Sequence, residues 1–316
     1  LHEVEVHRLL GAACPHIVRF AGAHVADGAL HILTEYAENG SLRQLLDRRR
    51  DRGEVLGEAE ALDLFVQLVS GVRHLHAHKV VHRDIKPGNI FLDRRNLVRL
   101  GDFGIARVLG GAADDGAPQQ RSVGTPLYLA PEVVEGKAAD EKGDVWALGV
   151  VLYEMVALRP PFVADNLAAL AIAISRAQHE PLASAVRLRL AGAGEAMEAR
   201  RWRRGDGGDA PSADAMEAAP QYSDALLALS DDLLRAAPAA RPSAAELLAR
   251  PLLAAHVARF ESSVGRIFAS ARELRDGAAG AAGAAETAAG AEVAPAADAA
   301  AASPTVGAAD LGRLEA

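Results

Sequence analysis

A chain of 316 residues with a net charge of −8 and a single cysteine is large enough to bury a substantial core. Its acidic balance argues against a nucleic-acid binder, which would be basic. One cysteine, Cys14, allows no disulfide within the chain, so a reducing compartment such as the cytoplasm fits best. No apolar run reaches the roughly 18 residues of a membrane span. The best candidate, VWALGVVLYEMVAL at 145–158, contains Glu154 and reads as a buried helix.

In chain order, residues 1–12 read as an amphipathic helix with no cap before it, so the N-terminus reads as truncated. HIVRFAGAHV (16–25) and ALHILTEYA (29–37) read as two strands around an Asp27-Gly28 turn. A helix follows Asn39-Gly40. A long helical pattern over 58–78 sets Leu62, Phe65, Val66, Leu68, Val69, Val72 and Leu75 on or near one face. Short strands are expected around 80–82, 90–92 and 97–100, and mostly helix or loop beyond. Residues 183–219 lack a firm period and read as a flexible insertion, a possible partner-binding segment. From about 277 the chain is nearly all Ala and Gly with scattered acids, a composition expected to stay disordered.

The chemistry concentrates in VVHRDIKPGNIFL (80–92) and LGDFGIARVL (100–109). Phosphoryl transfer to a hydroxyl needs a group near the hydroxyl proton, oxygen ligands for a divalent metal, and positive charge on the moving phosphoryl. Asp84 can be the base and Lys86 can reach the transferred group. Asn89 and Asp102 offer one neutral and one charged oxygen, a set suited to Mg²⁺. Alone, each residue has a plainer reading as a turn, cap or solvated charge; their joint order is what raises them.

In that order they resemble a protein kinase. His82-Arg83-Asp84 with Asn89 matches the catalytic loop and Asp102-Phe103-Gly104 the metal-binding segment. Ala130-Pro131-Glu132 closes the activation segment, DVWALG (144–149) resembles the buried helix below the site, and Arg241 matches the partner of Glu132. Lys86 and GTPLYLAPE (124–132) are similar to Ser/Thr kinases, and the three longer motifs together to the never-in-mitosis-A-related (NEK) kinases. The resemblance implies an α+β, bilobal fold with a mostly helical large lobe and an incomplete β small lobe. It implies ATP and Mg²⁺ as cofactors and a protein Ser/Thr hydroxyl as substrate, with no nucleic acid and no membrane partner.

Further roles follow from the resemblance. Thr125 bridges Asp84 and Lys86. Glu5 is the conserved helix glutamate, and Leu9, Phe20, Phe103 and His82 form a spine between lobes. Thr34 is the gatekeeper, Glu35, Tyr36 and Ala37 form the hinge, and Phe91 floors the adenine pocket. Asp144 is structural, with Glu132 and Arg241, and phospho-Ser122 would pair with Arg83. The expected organisation is a kinase domain over 1–256 lacking the Gly-rich loop and its Lys strand, a helical extension over 257–276 and a tail over 277–316. That lack makes the chain as given poorly active by expectation and leaves a pseudokinase or scaffold as the alternative reading. A small-molecule phosphotransferase is a further rival, opposed by the peptide-docking segment. His74, His76 and His78 recur at a spacing that a metal could use, without a further ligand type.

Overall fold

A computed structural model describes residues 2–10, 14–109, 126–187, 189, 222–260 and 262. The expected tail, most of the expected insertion, the extension beyond 262, and both Ser122 and Thr125 lie outside the described residues.

The N-terminal part is small. Helix α1 (His2–Leu10) buries Val4, Val6, His7 and Leu10. Strands β1 (Phe20–Ala26) and β2 (Ala29–Thr34) pair antiparallel, with His24 opposite His31 and Ala26 opposite Ala29. Asp27 and Gly28 turn the chain at φ +53° and +74°, the left-handed pair that matches the twist of a two-residue hairpin. The first expected strand began at residue 16, but the stretch before Phe20 leaves the hairpin. There the Val18 amide donates to the Leu100 carbonyl at 2.9 Å and the Leu100 amide to the His16 carbonyl at 2.8 Å, which stitches the small part onto the large one.

The remainder is mostly helical. Helix α2 (Leu42–Arg52) starts at a reciprocal cap, in which Ser41 accepts from the Gln44 amide and the Gln44 side chain accepts from the Ser41 amide. Helix α3 (Glu58–Ala77) buries the apolar face its periodicity marks. Three short ladder strands follow: β3 (Val80–Val81), β4 (Ile90–Leu92) and β5 (Val98–Leu100), with β4 paired to β5. Strand β6 (Arg107–Val108) pairs back to β3. After α4 (Pro131–Val134) comes α5 (Glu141–Ala157), buried at every position from Asp144 to Ala157, as its apolar sequence without a polar face requires. Helix α6 (Leu167–Ser175) packs against α4, α7 (Asp224–Leu233) against α5 and α8 (Ala244–Leu248) against α3, and a last helix spans 251–260. Gly149 of α5 lies where a Cβ would sit 2.7 Å from Leu233 Cβ, so glycine permits that approach of α5 to α7.

Two contacts lock this base. Arg241, fully buried, meets both Glu132 oxygens at 2.8 Å. Its other donors reach the carbonyls of Arg235 (2.7 Å), Lys142 (2.9 Å) and Ala236 (2.9 Å), so all five guanidinium hydrogens have acceptors. The guanidinium also lies 5.0 Å over the Trp146 ring. At the other end, His256 Nδ1 contacts Asp63 at 2.6 Å and the Phe260 ring lies 4.7 Å from that of His16. Among the described residues no helix is long and apolar enough to cross a membrane.

Candidate active site

The segment from His82 to Asn89 runs between β3 and β4, and buried polar contacts fix its backbone. Asp144, 1% exposed in α5, accepts from the His82 amide and the Arg83 amide, each at 2.9 Å, and contacts His76 Nε2 at 2.9 Å. These bonds hold Arg83 at φ +69°, a left-handed conformation that a non-glycine residue adopts only when its surroundings compel it. His82 is fully buried, and burial lowers its pKa. A neutral ring fits its contacts: Nε2 donates to the Gly101 carbonyl at 3.1 Å and Nδ1 accepts the Asp84 amide at 3.3 Å. The Gly101 amide in turn donates to the Asn89 carbonyl at 3.0 Å. The loop carrying Asp84 is thereby bonded to the residue before Asp102.

Within that frame Lys86 Nζ lies 2.6 Å from Asp84 Oδ2, and Asn89 Nδ2 donates to the same oxygen at 2.9 Å and to the Asp84 carbonyl at 3.0 Å. Because Asn89 spends its amide hydrogens on Asp84, its carbonyl oxygen is left as an acceptor. Asp102 is exposed, at φ +65°. A neutral and a charged hard oxygen fit Mg²⁺, which takes few protein ligands and completes its shell with phosphate and water. Thr34, Glu35, Ala37 and Phe91 line one cavity of about 870 Å³ together with Val18. The Glu35 amide is taken by the Arg19 carbonyl at 2.9 Å. Among the described residues the Glu35 carbonyl and the Ala37 amide take no part in the connecting backbone bonds. A cavity that sets the apolar side chains of Val18 and Phe91 beside residues 34–37 can take a planar heterocycle.

Two expected positions move by two residues. Glu5 is exposed, and the carboxylate that reaches Asp102 and the Phe103 amide is that of Glu3. Burial and then the Asp102 charge raise the Glu3 pKa. Leu9 is 46% exposed. The ring between Phe20 and Phe103 is that of His7, at 5.5 and 4.9 Å, with His82 5.1 Å beyond Phe103. Residues two apart on a helix point to nearly opposite sides, so a register taken by counting back from Pro15 put both residues on the wrong face. The signal was present: Glu3, Val6, His7 and Leu10 form the i, i+3, i+4, i+7 stripe of the buried side.

Of the three spaced histidines, His74 and His78 stay together, their rings 4.3 Å apart, while His76 points elsewhere. His74 Nε2 contacts the Leu10 carbonyl, His76 meets Asp144, and His78 Nδ1 contacts the His74 carbonyl. A cluster that the motifs did not point to is Arg43, Tyr128 and Glu154. Arg43 Nη1 donates to Glu154 Oε1 at 2.6 Å, Arg43 Nη2 to the Tyr128 hydroxyl at 2.7 Å, and that hydroxyl to Glu154 Oε2 at 2.7 Å. A glutamate inside an otherwise apolar helix was the sequence signal for it.

Comparison with known proteins identifies a family. The model of the protein kinase domain matches residues 1–253. Human serine/threonine-protein kinase Nek5 is 34% identical over 240 residues, 76% of this chain and 28% of that protein. Mouse Nek1 is 32% identical over 258 residues, 82% of this chain and 18% of that protein. The Caenorhabditis elegans kinase nekl-2 is 36% identical over 184 residues, 56% of this chain and 50% of that protein. The chain thus spans half or less of the length of each of these relatives. With the kinase model covering most of its length and the geometry above in place, the chain belongs to the protein kinase family, and its similarity is to serine/threonine kinases of the NEK type.

Proposed function

We propose that the full-length gene product transfers the terminal phosphoryl group of MgATP to a serine or threonine hydroxyl of a protein. The observation that carries this reading is the shared hold on Asp84: Lys86 and Asn89 both bond its Oδ2, on a loop tied to Gly101 beside Asp102. Asp84 would accept the hydroxyl proton, and Lys86 would neutralise charge on the moving group. Asn89 and Asp102 would hold Mg²⁺, while Thr34, Glu35, Ala37 and Phe91 would enclose the adenine. MgATP, when bound, supplies the phosphoryl group and the charge that polarises it. Glu3, near Asp102 and the Phe103 amide, would serve as the helix glutamate in place of Glu5. Arg83 lies near Arg107, and burial followed by that neighbouring charge lowers its pKa. Two crowded guanidiniums support the reading that a phosphorylated Ser122 would be received there, and Thr125 would bridge Asp84 and Lys86. The kinase domain is taken to end near residue 256.

The test is phosphate incorporation into generic protein substrates by the full-length gene product and its Asp84→Asn variant. Loss of about 10²–10⁴-fold in rate is expected. Nucleotide binding with no transfer above the Asp84→Asn level would instead mark a scaffold.

A further inference from the structure

Two histidines stand at matching places on the hairpin. In HVADGALH (24–31) two residues separate each of them from the Asp27-Gly28 turn. The turn fixes the register, so His24 and His31 lie directly opposite each other across β1 and β2. Both are exposed, and alternation along β2 sets His31 outward while Leu30 and Ile32 are half-buried on the other side. The two imidazoles are nearly parallel, 10° apart in plane, with centroids 5.0 Å from each other. Among the described residues neither ring has a hydrogen bond or an ion pair, so no ring nitrogen is committed. The other close pair differs. The rings of His74 and His78 are tilted by 45°, and His74 Nε2 and His78 Nδ1 are held by the Leu10 and His74 carbonyls. Apart from the two histidines, β1 and β2 carry no ionisable side chain, and the turn adds Asp27, an acid. No lysine or arginine of the hairpin therefore repels a cation.

We propose that His24 and His31 form a two-point site for an imidazole-binding divalent transition ion, of which Zn²⁺ is the reference case. Two imidazole nitrogens at about 2.0–2.1 Å from a tetrahedral Zn²⁺ stand about 3.3 Å apart. Facing rings with centroids 5.0 Å apart reach that spacing by tipping their outer edges together, a side-chain rotation that leaves the strands in place. Two protein ligands leave the remaining positions to water, and among the described residues no third His, Cys, Asp or Glu joins them. The site is thus open, and its ion exchangeable. Imidazole suits Zn²⁺, Ni²⁺ and Cu²⁺, whereas Mg²⁺ takes oxygen ligands, so the metal of phosphoryl transfer does not compete here. A bound ion would cross-link β1 to β2 three residues before Thr34 and hold the hairpin closed. The site stands whether or not the chain transfers phosphate.

The experiment uses the full-length gene product, purified without a histidine tag and held in excess Mg²⁺. Zn²⁺ alone is the probe in a calorimetric titration, and Cu²⁺ alone in electron paramagnetic resonance. Beside the wild type run His24→Ala, His31→Ala, the double variant, and His78→Ala, which removes an exposed histidine elsewhere. The wild type should bind one Zn²⁺ that either single hairpin variant loses. Affinity should fall at least about 10²-fold in each, as when two linked ligands become one, and little further in the double variant. Saturating Zn²⁺ should raise the melting temperature of the wild type by about 2–4 °C relative to the double variant. Cu²⁺ should show two imidazole nitrogens in the wild type and in His78→Ala, and one in each single hairpin variant. Both rings are exposed, so without metal all the variants should melt as the wild type does; glutamine replaces alanine at any position where they do not. A single hairpin variant that keeps the wild-type Zn²⁺ affinity overturns the proposal. So do losses that simply add in the double variant, or an equal loss in His78→Ala.

Discussion

The base built on α5 and the small part built on α1 solve the same packing problem with different margins. In the base, a polar residue is buried only with its full set of partners: Arg241 satisfies five donors and Asp144 accepts three bonds. In α1, nine residues present one narrow stripe, and the residues just off it, Glu5 and Leu9, are exposed. A substitution in the base should strip a whole set of bonds, whereas one in α1 should be felt only on the stripe.

The largest effect should come from Glu132→Ala, which leaves the Arg241 guanidinium buried without its counter-charge. A loss of about 3–5 kcal/mol is expected, read as a shift of the denaturant midpoint with little change in slope. Arg241→Lys, with Glu132 intact, should keep the ion pair but lose part of the stability, because an ammonium has three donors and no fork. A loss below about 1 kcal/mol on Glu132→Ala would show that the base tolerates an unpaired charge, and the contrast with α1 would break.

Next in size is Gly149→Ala. The added methyl meets Leu233 Cβ at 2.7 Å and Leu234 close by, and neither helix can move without disturbing the other. About 1–3 kcal/mol of overpacking is expected, again from denaturant melts.

A third test lies where the two parts join. Burial lowers the pKa of His16 to about 4, against an ordinary value near 6.5. The folded state thus holds this ring neutral while the unfolded state binds a proton as pH falls below about 6.5. The stability it contributes is present above that pH and is lost progressively down to about pH 4. His16→Gln should flatten the stability–pH profile across that window, an outcome that unfolding curves at pH 7 and pH 5 would register. A profile as steep as the wild type's would assign the acid sensitivity elsewhere.

The smallest effects sharpen the reading of α1. Leu9→Ala should change stability by less than about 0.5 kcal/mol. His7→Ala removes the ring between Phe20 and Phe103 and should cost about 1–3 kcal/mol. Equal effects would mean that the stripe is misassigned.

The same contrast explains what could be read in the sequence. In the base and the catalytic loop, residues with unusual jobs sit at short fixed spacings, so Asp84, Asn89, Asp102 and Asp144 could be located before any fold was known. The helices followed from periodicity, α3 most plainly. Helix α1 offered two glutamates two residues apart, and only its full stripe distinguishes them. Counting from a distant proline ignores the variable stretch between. Of the Arg43–Tyr128–Glu154 triangle only Glu154 was legible, as an acid in an apolar run; Arg43 and Tyr128 come from α2 and a turn, and no local pattern links residues that meet only after packing.

The contact between Phe260 and His16 has a mechanical reading. The last helix grips α3 through His256 and Asp63, and then touches the segment that carries the hairpin. A load applied to the last helix at Phe260 therefore meets His16 without first unravelling α7 or α8. Anything that tugs on that end pulls directly on the joint between the hairpin and the helical base.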